Sequence, residues 1–305
     1  MAVNEKRLRV TEFDFDQVKQ NLKTFLKGQS EFTDYDFEGS GMNILLDTLA
    51  YNTHYLGFNA NMLANEMFLD SASLRSSVVS HAKMLGYEVG SPRAPKATIN
   101  VTLTTSNPSA TMPAGTSFVS RVDGVDYQFV TISDVTKQNT GNSIPFDSTE
   151  VYEGTFATTK YLVDSNDVDQ RFMLTDVRSD TTTLTVKVQN SATDTTTTTY
   201  TKATDITQLS SSSTVYFLQE VEGGKFEIYF GDGATSKAVE DGNIVVLSYV
   251  ITNKTAANGA AAFSSPSSID GNTNITVTTV ANAVGGGEPE TISSIKLNAP
   301  LDFAS

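Results

Sequence analysis

Few residues of this chain have the type and spacing that metal or redox chemistry needs. The 305 residues include no cysteine, which excludes thiolate metal sites, iron–sulfur clusters, disulfides and cysteine nucleophiles. The two histidines, His54 and His81, lie in predicted helices, and neither has a histidine or glutamate three or four residues away. Because a zinc site needs three or four convergent ligands, we predict that both histidines pack against helices and that the chain binds no metal.

An acidic segment at residues 164–169 is the only calcium candidate in the sequence. An EF-hand loop needs glycine at its sixth position and glutamate at its twelfth. Asp169 and Thr175 occupy those positions here. We therefore predict a solvated acidic turn.

Asp232, between Gly231 and Gly233, is the most conspicuous single carboxylate. A catalytic acid needs a positioned partner, and no histidine, lysine or second acid is placed beside it by spacing. Gly39-Ser40-Gly41 resembles a phosphate loop only superficially, since no strand precedes it and the loop lysine is missing. We predict that Asp232 is a turn residue, that no cofactor binds, and that the chain is not an enzyme.

The charge balance restricts the class of partner. Lys and Arg total 21 against 35 Asp and Glu, which gives a net charge of −14. Nucleic acids and anionic membranes would be repelled by such a surface. The N-terminal ten residues are charged, and no run of about 18 apolar residues occurs anywhere, so neither a signal peptide nor a spanning helix is predicted. We expect synthesis in the host cytoplasm and a protein partner.

Residues 1–90 have the 3.6-residue apolar period of helices. Asp14 or Asp16 can cap a first helix that ends at Gly28, and Asp70 or Ser71 can cap a third that ends at Gly86. Between them, a long helix of about 40 Å begins after Gly41. It has an apolar stripe, which we call the leucine stripe, formed by Leu45, Leu49, Leu56, Leu63 and Met67.

The leucine stripe is longer than a compact domain requires. It is therefore our candidate interface with partner helices. The alternative is that it packs against the chain's own helices.

From Pro92 the composition shifts to Thr, Ser, Val and Gly, and the apolar period shifts from 3.6 to 2. Seven or more short strands separated by turn signals predict an antiparallel, sandwich-like β domain over residues 92–284. The threonine run at 195–199 is predicted to form an edge strand. Residues 285–305 are predicted to be a glycine linker and the start of a further, truncated element. The expected class is α+β, with an N-terminal long-helix bundle followed by the β domain.

Three segments together resemble the baseplate J-like family of contractile phage tails. Residues 112–118 (MPAGTSF) are similar to its PAGT.F segment, and residues 229–233 (YFGDG) with 243–249 are similar to its FGDG…Y stretch. Residues 285–300 resemble its glycine linker and following helix. The candidate turn residues of the first two segments are Pro113, Gly115, Gly231, Asp232 and Gly233.

The resemblance implies a structural virion protein of the tail baseplate. It implies that two copies join another wedge protein in a helical core bundle, and that six wedges close into a ring around the tail hub. The family normally continues into a C-terminal domain that contacts the neighbouring wedge, and its absence here puts ring closure by this polypeptide alone in doubt.

A competing hypothesis is a tail-associated carbohydrate-binding or carbohydrate-cleaving β protein. Cleavage would need paired carboxylates, and binding usually uses aromatic platforms. The sequence has no tryptophan and no acid pair in a recognisable frame.

Overall fold

A computed structural model describes residues 14–29, 39–164, 166–167, 170–204 and 208–304. The chain divides into two compact units, one comprising Met1–Tyr87 with Ile292–Ser305 and the other Glu88–Thr291. We call these the helical unit and the β unit. The division falls beside Pro92, where the apolar period of the sequence changes.

The helical unit has four described helices: α1 Phe15–Lys27, α2 Gly41–Glu66, α3 Arg75–Met84 and α4 Ile292–Phe303. The Ser40 hydroxyl caps α2 by accepting a hydrogen bond from the Asn43 amide at 3.0 Å. Helix α1 packs against α2, with an ion pair between Lys19 and Asp47. Helix α3 packs against α4, so the residues predicted to begin a further element lie in the helical unit.

The β unit has fifteen strands in the described residues. They are β1 Lys96–Thr104, β2 Ser109–Met112, β3 Ser117–Val122, β4 Val125–Val130, β5 Val135–Gln138, β6 Ser143–Glu153, β7 Thr155–Leu162, β8 Phe172–Met173, β9 Ser179–Gln189, β10 Thr197–Lys202, β11 Val215–Glu220, β12 Phe226–Phe230, β13 Ile244–Ile251, β14 Phe263–Ser264 and β15 Ile275–Val284.

These strands form two main sheets, one inserted into the other along the chain. The first has the order β14-β3-β4-β6-β1-β15, and the second β7-β13-β9-β10-β11-β12-β8. All strands of the second sheet lie between β6 and β14 in sequence. We call the first sheet with the short β2–β5 pair the base lobe, and the second sheet the inserted lobe.

Each lobe buries its own hydrophobic cluster. In the base lobe Phe118, Phe129 and Phe146 are fully buried, and in the inserted lobe Phe172 and Tyr249 are buried to the same extent. The α+β class is confirmed, with a few helices and several largely antiparallel sheets. The β region comprises two lobes, because each main sheet buries its own cluster of apolar side chains.

The base lobe closes into a barrel-like shape at the edge of β15. The Gly259 amide donates to the Ala283 carbonyl at 2.7 Å, and the Ala283 amide donates to the Ala260 carbonyl at 2.9 Å. A few residues later, β14 pairs with β3 at the opposite edge of the same sheet. The segment around Gly259 therefore connects both edges.

Two local expectations had different outcomes. The predicted hairpin is confirmed: β11 and β12 pair in antiparallel fashion, and Gly223 and Gly224 both have positive φ in the turn between them. The edge-strand prediction for residues 195–199 is confirmed in part. Thr197, Thr198 and Thr199 of β10 pair with β9, and the described pairs between β10 and β11 are at Thr201 and Lys202, beyond the threonine run.

Candidate assembly surface

The leucine stripe of α2 is exposed along its whole length. About five turns of the helix separate Leu45 from Leu63, and about half or more of each of the five side chains is exposed in the described chain. The exposed fractions are 56% for Leu45, 49% for Leu49, 59% for Leu56, 69% for Leu63 and 66% for Met67. A row of exposed leucines of this length is an apolar patch of the kind that marks a protein interface.

A second exposed stripe, which the sequence analysis missed, follows another side of α2. We call it the aromatic stripe. At 100° per residue its centre lies about 120° around the helix from the leucine stripe. Its members are Ile44, Tyr51, Tyr55, Phe58 and Met62, with exposed fractions between 45% and 63%. With Thr48 included, the steps between members alternate between four and three residues, which is the spacing of a coiled-coil seam.

The third side of α2 faces its own chain. Leu46 and Ala50 are buried there, and Asn43 is buried beside them. Helices that are apolar on every side are buried in the native assembly, because water would otherwise contact the apolar faces. The described chain covers one side of α2 and leaves two apolar sides exposed.

The end of α2 is tied to the start of α3 by Glu66. Its carboxylate accepts hydrogen bonds from the Ser73 amide at 2.8 Å, the Ser73 hydroxyl at 2.7 Å and the Leu74 amide at 3.2 Å. Partial burial raises the pKa of Glu66, but these hydrogen bonds outweigh it and hold the pKa at about 2. Neither predicted cap, Asp70 or Ser71, begins the helix: α3 begins at Arg75 with Leu74 as its N-cap residue, and Glu66 binds the amides of the two residues that precede α3.

Beside this corner lies an open cavity of about 500 Å³, lined by Met62, Leu63, Glu66 and Leu74 among others. It joins the ends of the two stripes. Of the two histidines, His54 lies within α2, and the His81 ring nitrogen Nε2 lies 2.8 Å from the Glu66 carbonyl oxygen at this corner. No group of three metal-ligating side chains occurs in the described residues.

In the acidic segment, the Asp164 carboxylate accepts a hydrogen bond from the Asn166 amide at 2.9 Å. This bond is the main cause of its lowered pKa. Residues 165, 168 and 169 of that segment lie outside the described residues. Among the described helices, none is long and apolar enough to cross a membrane.

Pro113 and Gly115 lie in the turn between β2 and β3. The Pro113 carbonyl accepts hydrogen bonds from the Thr116 amide at 3.2 Å and the Thr131 hydroxyl at 2.8 Å. Gly115 has φ +83°, and a Cβ there would lie 3.2 Å from the ring of Phe156. The turn thus packs the base lobe against the first strand of the inserted lobe.

Gly231, Asp232 and Gly233 follow β12 in a tight turn. The Asp232 carboxylate accepts hydrogen bonds from the Ala234 amide at 2.9 Å and the Thr235 amide at 3.2 Å, and these bonds lower its pKa. Gly233 has φ +85°, whereas Gly231 is required for space, because a Cβ there would overlap the Ser236 hydroxyl. The carboxylate is therefore engaged by its own turn.

Together, the nested β lobes and the two uncovered sides of α2 define a structural protein that acts by assembly. Residues 14–87 match the family described as "Baseplate wedge protein gp6-like, helical domain". Residues 158–261, which correspond closely to the inserted lobe, match "Bacteriophage baseplate wedge protein gp6, third domain". The chain belongs to the gp6-like family of baseplate wedge proteins, which are structural proteins of the phage tail baseplate.

The chain is similar to the baseplate wedge protein gp6 of Enterobacteria phage T4, with 32% identity over 312 residues. That alignment covers 92% of this chain and 46% of the relative, so the chain spans about half the length of the curated relative it matches. Among solved structures it is similar to the baseplate of the anti-feeding prophage, a 6-fold symmetrised cryo-EM structure. The match covers 98% of this chain and 61% of that one, at 12% identity and a TM-score of 0.35.

Proposed function

We propose that this chain is a structural subunit of a baseplate wedge and that it assembles through α2. The observation that supports this proposal most directly is the exposure of the leucine stripe, whose five residues have exposed fractions between 49% and 69%. Burying apolar surface yields about 25 cal/mol per Å², so five such residues provide a substantial driving force for association. The aromatic stripe supports a second contact on the adjacent side of the same helix.

The long-helix bundle expected from the sequence is thus proposed as a property of the assembly. In the described chain α2 has α1 along one side. A second copy of this chain and a helix of another wedge protein would cover the two remaining sides. Closure of six wedges into a ring is a further proposal, and it rests on the family resemblance.

The test is the mass of the chain in solution, alone and mixed with the other wedge proteins of the same phage, measured by light scattering. We expect the parent chain to form complexes and the variant with Leu49→Asp and Leu56→Asp to lose them, because a charge facing an apolar partner surface would be buried unpaired. Leu162→Asp is the matched control, since Leu162 is 64% exposed in the inserted lobe. A parent chain that stays a single copy under all conditions would contradict the proposal.

We also propose that the chain has no catalytic activity. The support is that the hydrogen bonds of the Asp232 carboxylate are all used within its turn, and that its family consists of structural proteins. The measurement is a screen for cleavage of glycans and peptidoglycan by the parent chain. Cleavage that disappears in Asp232→Asn without loss of stability would support the competing hypothesis of a carbohydrate-cleaving protein.

A further inference from the structure

Two carboxylates are buried where the inserted lobe meets the base lobe. Glu153 is 0% exposed and Asp180 is 1% exposed. A buried charge is costly unless hydrogen bonds satisfy it, and neither residue belongs to a metal-binding group in the described part of the chain. Their bonding partners therefore indicate what they do.

Glu153 ties the entry of the inserted lobe to its exit. It is the last residue of β6, and only Gly154 separates it from the start of β7. Its carboxylate accepts hydrogen bonds from the Thr252 hydroxyl at 2.8 Å, the Asn253 amide at 2.9 Å and the Asn253 side chain at 2.7 Å. Thr252 and Asn253 come directly after β13, so the two ends of the insertion are joined by one side chain.

Asp180 ties the inserted lobe to the segment that precedes β1. One of its oxygens, Oδ2, accepts a hydrogen bond from the Ala94 amide at 2.8 Å, and the other, Oδ1, accepts from the Thr182 amide at 2.9 Å. The next residue, Thr181, donates from its amide and its hydroxyl to the Ser91 hydroxyl oxygen at 3.0 and 2.9 Å. The start of β9 thus contacts Ser91 and Ala94 together.

Ser91 and Ala94 lie in one half of a pair of segments, which we call the neck (residues 90–94 with 286–290). Arg93 and Gly287 exchange two backbone hydrogen bonds of 3.0 Å. The Gly90 amide donates to the Glu290 carboxylate at 3.0 Å, and the Glu290 amide donates to the Gly90 carbonyl at 2.9 Å. These are the two segments by which the chain enters and leaves the β unit.

The exit of the inserted lobe also packs against the neck. Gly286 lies so close to the Lys254 carbonyl and the Pro95 ring that a Cβ on it would overlap both. Lys254 also forms an ion pair with Glu288, which follows Gly286 by two residues. Five separate segments therefore meet around the two buried carboxylates.

We propose that Glu153 and Asp180 form a lock that fixes the inserted lobe to the base lobe and the neck, so that all three move as one rigid body. The lock explains why two carboxylates are buried at positions that apolar side chains could have filled. A rigid connection lets the inserted lobe keep a defined position when the chain is built into a larger structure. The proposal does not depend on which partners α2 binds.

The test uses Asp180→Asn, which keeps an acceptor for Thr182 but turns an amide group toward the Ala94 N–H. The cysteine-free sequence allows spin labels at Val125→Cys in the base lobe and Thr197→Cys in the inserted lobe, both exposed in the structure. We expect a narrow distribution of label distances in the parent and a broad one in Asp180→Asn. We also expect hydrogen exchange of the Ala94 amide to be at least about tenfold faster, with Leu247 in β13 unchanged.

Asp194→Asn is the matched control, because Asp194 is exposed and bonds only within its own loop. If Asp180→Asn fails to fold, Ser91→Ala removes the acceptor for Thr181 without leaving a charge, and Ser91→Thr restores the hydroxyl. We expect broadening in Ser91→Ala and recovery in Ser91→Thr. A distance distribution as narrow as that of the parent in the folded variants would overturn the lock, since a purely local role in stability would not move the lobes.

Discussion

Leu46 and Leu56 lie ten residues apart on α2 and should respond to truncation in opposite ways. Leu46 is 4% exposed and packs inside the chain, whereas Leu56 is 59% exposed. Truncating a buried leucine to alanine costs about 2–5 kcal/mol of folding free energy. Truncating an exposed one away from special features changes it by less than about 0.5 kcal/mol. Leu46→Ala should therefore destabilise the isolated chain, and Leu56→Ala should not.

For assembly we expect the reverse: Leu56→Ala should weaken complexes with partners more than Leu46→Ala does. Full burial of a leucine side chain is worth about 1.5–3 kcal/mol, and about six-tenths of Leu56 remains to be covered. Leu56→Ala should then weaken the free energy of association by roughly 1–2 kcal/mol for a partner that covers Leu56. This corresponds to a dissociation constant about 5 to 30 times higher. Chemical denaturation measures the free energy of unfolding of each variant, and analytical ultracentrifugation with wedge partners measures the dissociation constant of its complexes.

The contrast between the two leucines makes the reasoning refutable. If Leu56→Ala lowers the unfolding free energy as much as Leu46→Ala does, then Leu56 packs within its own chain in solution. If the complexes of Leu56→Ala dissociate no more readily than those of the parent, then the leucine stripe is not an interface.

Three further changes test local features. The pKa of Glu66 lies at about 2, below its ordinary 4.5, so its hydrogen bonds to Ser73 and Leu74 stabilise the helical unit above pH 4.5. That stability should be lost as the pH falls through about 2, and Glu66→Gln should flatten this part of a circular-dichroism titration. Gly154→Ala should lower the free energy of unfolding by about 3 kcal/mol or more, because Gly154 has φ +128° and a Cβ there would overlap the Ile251 carbonyl. An unchanged free energy of unfolding in denaturant would contradict this geometry. Asp232→Asn should retain the turn, whereas Gly233→Val should lower the melting temperature, and equal melting temperatures would show that positive φ at Gly233 is not required.

The helical part of the fold was the most predictable because its signal is local. The 3.6-residue period predicts a long helix after Gly41, and α2 begins at Gly41. The same pattern could not show which apolar side of α2 meets its own chain, since both the buried Leu46 and the exposed Leu45 are leucines. Only packing distinguishes them, and it also revealed the aromatic stripe.

The start of α3 illustrates a different limit. Asp70 and Ser71 have suitable side chains and lie shortly before the helix, but α3 begins at Arg75 with Leu74 as its N-cap residue. The Glu66 carboxylate, at the end of the preceding helix, binds the Ser73 and Leu74 amides, because the chain folds back at this corner. A contact supplied from another helix leaves no spacing signal in the sequence.

The sequence by itself determined the two kinds of secondary structure, the change between them near Pro92, the absence of cysteine chemistry and the resemblance to baseplate proteins. These depend on composition, short-range periodicity and motif order. The tertiary structure alone decided that the β region is one lobe inserted into another, that α4 packs with α3, and that Glu153 and Asp180 meet segments far away in the chain. Those features depend on contacts between residues separated by as many as 226 positions, as between Asp70 and Lys296, and such contacts are set by the packing of whole sheets and helices.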